Sequence, residues 1–196
     1  FAPTKFLSEK RILERILDEG HELGVHGYVH VRWHNPTDVE LEREFNLMTS
    51  AYQNTFGTTP KGFAAPLFSA NEKILSLTDE HGYAYASFME GDKPFHPLLR
   101  GKECQHLQIP LTLDVKEEGF ILPYLYYHAV HHHDMEKAVE ELVKHISEKQ
   151  KNKELATMHL HPKDEGTWLF YAFKNFLKQL NNEGLRSHTF YSLISN

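Results

Sequence analysis

Along the chain the spacing of hydrophobic positions switches repeatedly between a helical and a strand period. Ile12, Leu13, Ile16 and Leu17 recur at helical spacing over residues 8–18, and Gly20 supplies a stop. Residues 22–25 form a short extended piece that runs directly into His26. Thr37 with Glu40 reads as a capping box, after which Leu41, Phe45, Met48, Tyr52 and Phe56 line one helical face up to Gly57. Residues 61–65 read as a strand. Ser69 with Glu72 repeats the box pattern ahead of Ile74, Leu75 and Thr78, and Gly82 closes that helix. Residues 83–88 and 107–113 read as strands separated by a polar, proline-containing loop. Asp134 is a fitting N-cap for a helix to about residue 150, with Ala138, Leu142 and Ile146 inward. Residues 155–160 read as a strand, 167–180 as a helix ending near Gly184, and 185–190 as the last strand.

This alternation, without repeats or low-complexity linkers, predicts one α/β domain of parallel strands and crossover helices. Six strands are expected. A closed barrel of this kind wants one or two more, and their natural place is before Phe1, where the chain opens without a methionine. An upstream signal or anchor therefore stays open as an expectation. The 196 residues suffice for one sizeable core, and 40% hydrophobic with 24% charged residues is an ordinary globular balance. A net charge of −6 gives no cationic footprint for nucleic acid. Cys104 is the single cysteine, which excludes an internal disulfide and fits a reducing compartment. The longest apolar run, residues 119–130, is too short to span a membrane and is broken by Pro123.

The chain carries 15 histidines, and two strand ends gather those with a chemical pattern. His26 and His30, four apart after residues 22–25, can reach one divalent ion together. Gly27 stands where a metalloprotease would carry its glutamate, so this is a metal clip without its own base. His159 and His161 share a face by the two-residue period, and His161 at the strand's exit could donate a proton to a leaving group. Taken singly, each has a bland alternative: a chance spacing for the pair, a hydrogen-bonded structural histidine for His161. Their joint placement at the same end of two strands favours chemistry. His34 reads as a residue beside the site or on the surface. His131, His132 and His133 read as a solvated loop ahead of Asp134, with incidental metal affinity.

Residues 18–30, Asp-Glu-Gly-His-Glu-Leu-Gly-Val-His-Gly-Tyr-Val-His, resemble the second motif of the polysaccharide deacetylase (NodB-homology) family. Residues 158–161, Met-His-Leu-His, resemble its fifth. Within the family, residues 62–66, the stretches 93–99 and 107–113, and Glu165-Gly166 after His161 look like the branch that deformylates or deacetylates lipid-linked amino sugars. The resemblance implies a distorted (β/α) barrel lacking its first strand, with residues 1–196 a single, N-terminally incomplete domain. It implies a divalent metal, zinc by preference, on His26 and His30, and His161 as general acid. It further implies a backbone N–H at Leu67, and contacts from Tyr28, on the oxyanion or substrate. The implied substrate is an N-formyl or N-acetyl amino sugar linked to undecaprenyl phosphate and used in envelope or lipid A modification. That places the protein in the cytoplasm, peripheral to the inner-membrane face. Phe120, Ile121 and Leu125 would then touch lipid, or else belong to a buried insertion. Departures are clear. No residue matches the family's acidic pair, which supplies base and third ligand; Leu113-Asp114-Val115 resembles it only superficially. Ala64 replaces a third-motif arginine, and Phe88 stands where a fourth-motif acid is expected, with Asp92 nearby. Two rival readings follow: a non-catalytic sugar- or lipid-binding barrel, and a deacetylase of a polymer such as peptidoglycan or chitin.

Overall fold

In the computed structural model, which describes residues 4–30, 33 and 35–195, the first helical stripe becomes α1 (Lys10–Asp18), entered through a 3-10 turn over Thr4–Glu9. By Cα packing the chain divides into two units, residues 1–90, 94–110 and 188–196 in one and residues 91–93 and 111–187 in the other. In the first unit, α2 (Asp38–Phe56) starts at the expected box: the Thr37 side chain accepts from the Glu40 N–H, and Glu40 reaches back to the Thr37 N–H. It ends at Gly57 in a left-handed conformation. Its inward stripe of Leu41, Phe45 and Met48 is fully buried. Phe45 packs against Phe63 at 4.9 Å and Trp33 at 6.1 Å, the aromatic centre of this core.

β1 (Gly62–Phe63), α3 (Glu72–Glu80) and β2 (Tyr85–Ala86) make a parallel crossover with Gly62 opposite Tyr85 and Phe63 opposite Ala86. A small antiparallel hairpin, β3 (Leu98–Leu99) with β4 (Lys102–Glu103), precedes β5 (Leu107–Gln108), which joins β2 in parallel. Val25 adds a parallel bridge to Phe63, its N–H donating to the Gly62 carbonyl at 2.9 Å. The ladder therefore runs Val25, β1, β2, β5, each next element entering from the same end. Helix α3 corrects the second box: Asn71, not Ser69, caps it, accepting from the Ile74 N–H, while the Ser69 hydroxyl donates to the Trp33 carbonyl.

The second unit opens with the hairpin of β6 (Val115–Glu117) and β7 (Phe120–Leu122), turned by Glu118 and Gly119, both at positive φ. α4 (Tyr124–Val130) and α5 (Met135–Lys151) follow, the latter capped by Asp134 as expected. α6 (Pro162–Glu165) is a single turn and α7 (Phe170–Asn182) a long helix. Leu125, Val139, Leu142, Leu169 and Phe176 form this unit's core. Residues 155–160 form no ladder strand among the described residues. The Thr112 and Thr157 hydroxyls bond each other's backbone instead, with Thr112 N–H to the Thr157 carbonyl at 3.0 Å, so side chains replace a regular strand pair. The last expected strand is also absent. Thr189 caps a short helix, α8 (Phe190–Ile194), which belongs to the first unit. No described helix is long and apolar enough to cross a membrane.

Candidate active site

The expected clip of His26 and His30 follows the chain's exit from the Val25 bridge. His26 Nδ1 stands 2.8 Å from the Ala64 carbonyl oxygen. A carbonyl only accepts, so Nδ1 carries the proton and the neutral ring's lone pair lies on Nε2. Gly27 then turns the chain at φ +77°; a Cβ here would lie 2.6 Å from Trp33 Nε1 and 3.0 Å from Pro66 Cγ. The missing glutamate thus has a steric reason: no side chain fits. Beyond the turn, Tyr28 and Val29 donate their N–H groups to one oxygen of Glu44, at 2.8 and 2.7 Å, and Trp33 Nε1 reaches the same oxygen at 3.3 Å. Glu44 is buried on the inward face of α2. The result holds the His26 and His30 rings with centroids 4.9 Å apart and planes at 62°.

Two imidazoles with one tautomer fixed by a carbonyl fit part of a zinc site, which takes three or four ligands. Among the described residues no further Asp, Glu, Cys or His completes a group of three with them. The one such group is Asp79, Cys104 and His106. There His106 Nδ1 lies 2.6 Å from Asp79 Oδ1, too close for two ligands of one tetrahedral ion, which stand roughly 3.3 Å apart at zinc bond lengths. Asp79 also accepts the N–H groups of Gln105 and His106. Burial alone would push its carboxyl up, but these hydrogen bonds win and hold it below the usual range. The trio is a latch fixing the approach to β5.

The second unit gathers its own titratable cluster. Asp114, only 1% exposed at its side chain, accepts from His159 Nδ1 at 2.6 Å and more weakly from the His159 N–H. Burial lifts the Asp114 carboxyl above its ordinary range, with His159 opposing. His161 caps α6 with its ring 57% exposed and edge-on to His159 at 5.2 Å. Its N–H donates to Glu165 Oε2 at 2.7 Å. Glu165 is buried, its Oε1 has no hydrogen-bond partner among the described residues, and burial raises its carboxyl above the usual range. The Asp114 carboxylate on Nδ1 fixes the orientation and tautomer of the His159 ring.

The remaining expectations divide. Leu67 lies in the 3-10 turn Pro66–Phe68 at φ 57°, is 59% exposed, and its N–H has no partner among the described residues. The Tyr28 N–H is used by Glu44, and its side chain packs against the core. Phe88 is buried in that core, whereas Asp92 is exposed. Phe120 is 68% exposed on its hairpin and Ile121 half-buried, but Leu125 is fully buried in the core of the second unit. Leu125 therefore cannot touch lipid: helical phase turns it inward from α4. His34 lies outside the described residues. Glu44 and the Asp114 pairing escaped the sequence reading. Glu44 could have been found as the one acid on the inward stripe, between Leu41 and Met48.

The polysaccharide deacetylase family model matches residues 2–86. Over 103 residues the chain is 29% identical to the probable 4-deoxy-4-formamido-L-arabinose-phosphoundecaprenol deformylase ArnD of Wigglesworthia glossinidia brevipalpis, covering 50% of this chain and 36% of that protein. Over 124 residues it is 27% identical to the peptidoglycan deacetylase of Helicobacter pylori, covering 50% of this chain and 41% of that one. The matched stretch is thus less than half the length of either relative. Among solved structures, one described as a polysaccharide deacetylase from Mycobacterium smegmatis superposes with a TM-score of 0.67 at 18% identity, over 92% of this chain and 64% of that one. The Puue allantoinase superposes at 0.70 with 16% identity, over 96% and 62%. At such identities structural likeness speaks for fold alone. The expected α/β fold of the deacetylase type is borne out. Residues 2–86 thus match the polysaccharide deacetylase family, and over 92% of its length the chain shares the fold of the Mycobacterium smegmatis structure.

Proposed function

We propose that the chain works as a metal-dependent amide hydrolase that removes an N-formyl or N-acetyl group from an amino sugar linked to a lipid carrier. The observation that supports this most is the His26–His30 pair, its first ring fixed by the Ala64 carbonyl and its turn by Glu44. Those two rings would hold a divalent ion, zinc by preference, which when bound activates water and polarises the amide carbonyl. The Leu67 N–H is the candidate donor to the oxygen of the tetrahedral stage. Water adds to the carbonyl carbon, the C–N bond breaks, and the amine leaves with a proton from an imidazolium. The products are formate or acetate and the free amino sugar. We assign that proton to His161, which is exposed. A second reading gives it to His159, favoured by the buried Asp114 on its Nδ1.

His161→Ala is expected to abolish release of formate or acetate while leaving zinc bound. Full turnover in that variant together with loss in His159→Ala would move the acid to His159. The similarity to a peptidoglycan deacetylase supports a polymer as the competing substrate. Comparing formate release from an N-formyl amino sugar on undecaprenyl phosphate with acetate release from peptidoglycan separates the two. Flotation with liposomes, unchanged on Phe120→Ser, would remove the lipid contact from the account.

A further inference from the structure

Of the two tryptophans, Trp33 is 1% exposed and Trp168 is 54% exposed. Trp168 is not alone: Phe170 is 45% and Tyr171 84% exposed, and a cluster of exposed aromatics is a feature of binding surfaces. Trp168 is held twice: Nε1–H donates to Asp164 Oδ1 at 2.9 Å, and Tyr126 meets the indole edge-on at 5.9 Å and 75°. The same carboxylate faces the other way as well, with Asp164 Oδ2 at 4.0 Å from His161 Nδ1. The turn that carries these groups is tightened by the Thr167 and Leu169 N–H groups, which both donate to the Asp164 carbonyl. One short acidic side chain therefore sets both the indole plane and the surroundings of the proposed acid.

We infer that Trp168 is a stacking platform for the pyranose ring of the substrate, its indole fixed by Asp164, whose other oxygen faces His161. The C–H face of a pyranose carries partial positive charge and meets the negative face of an indole favourably, while its hydroxyls project sideways to polar neighbours. Asp164, His161 and the exposed Lys163 supply such neighbours, which an acyl chain would leave unused. The inference rests on the amino-sugar reading above, and it adds the ring-binding element that reading lacks.

Because Trp33 is buried, a ligand covering Trp168 has a direct optical signature. N-acetylglucosamine titrated into the full chain is expected to shift the emission to shorter wavelength saturably, and Trp168→Phe to abolish the shift. With an N-acetyl amino-sugar substrate, Trp168→Ala is expected to raise KM roughly tenfold with kcat largely retained, the order of one aromatic stacking contact. Asp164→Asn, which keeps an acceptor for Nε1, is expected to preserve the emission shift, and Asp164→Ala to weaken it. A saturable shift with no formate or acetate released from either the N-formyl amino sugar on undecaprenyl phosphate or peptidoglycan would support the platform while overturning the hydrolase reading. Turnover without a shift, or a shift with phosphatidylglycerol vesicles and none with sugar, would overturn the platform.

Discussion

Two buried carboxylates show how single residues set the candidate site. Glu44 takes the N–H groups of Tyr28 and Val29 out of the clip turn. Glu44→Ala should leave both without an acceptor and destabilise the protein by about 2–4 kcal/mol, measurable as a lower urea midpoint, and should weaken zinc binding. Glu165 acts in the opposite sense. Its carboxyl is raised by burial and Oε1 lacks a partner among the described residues, so the stability tied to it is greatest below the unfolded carboxylate value. That contribution is lost as pH rises through the raised native value. Glu165→Gln removes the titration, so the variant's Tm relative to the native protein should rise between about pH 4 and pH 7. An unchanged difference would mean that Glu165 is not strained by its charge. The clip's His26 and His30 were readable from spacing, but the pairing of Asp114 with His159 was not. The two lie 45 positions apart, and only the Thr112–Thr157 clasp brings them together.

At the scale of elements, legibility followed local control. Helices α2 and α5 have their caps and stripes written in consecutive residues, and both appear where the pattern puts them. The strands of the parallel ladder are two residues long, and residues 155–160 and 185–190 alternate correctly yet make other bonds. Alternation records burial, while ladder pairing depends on neighbours distant in sequence. The hairpin β6–β7 and helix α4 show the same limit, since the apolar run that holds them fitted membrane contact and core equally. The structure separates these for Leu125. Leu125→Ala should cost about 2–5 kcal/mol in denaturant unfolding, whereas Phe120→Ser should change the midpoint little. The Asp79 latch gives a further test. Burial, with Asp79 beside it, holds the Cys104 thiol above its ordinary range, so it should react slowly with a disulfide reagent. Asp79→Ala should speed that reaction severalfold by releasing residues 103–106.

For the whole molecule, the two units carry different parts of the proposed chemistry. The first holds the His26–His30 clip and the Leu67 turn; the second holds Asp114, His159, His161 and Trp168. The family match falls on the first, and the likeness of fold extends over both. The clip is the centre of the account, and zinc titration by calorimetry tests it most directly. The account predicts one equivalent bound by the native chain, its loss in the His26→Ala/His30→Ala double variant, and its retention when His131 and His133 are replaced. Undiminished zinc binding in the double variant, or loss confined to the His131 and His133 replacements, would contradict it.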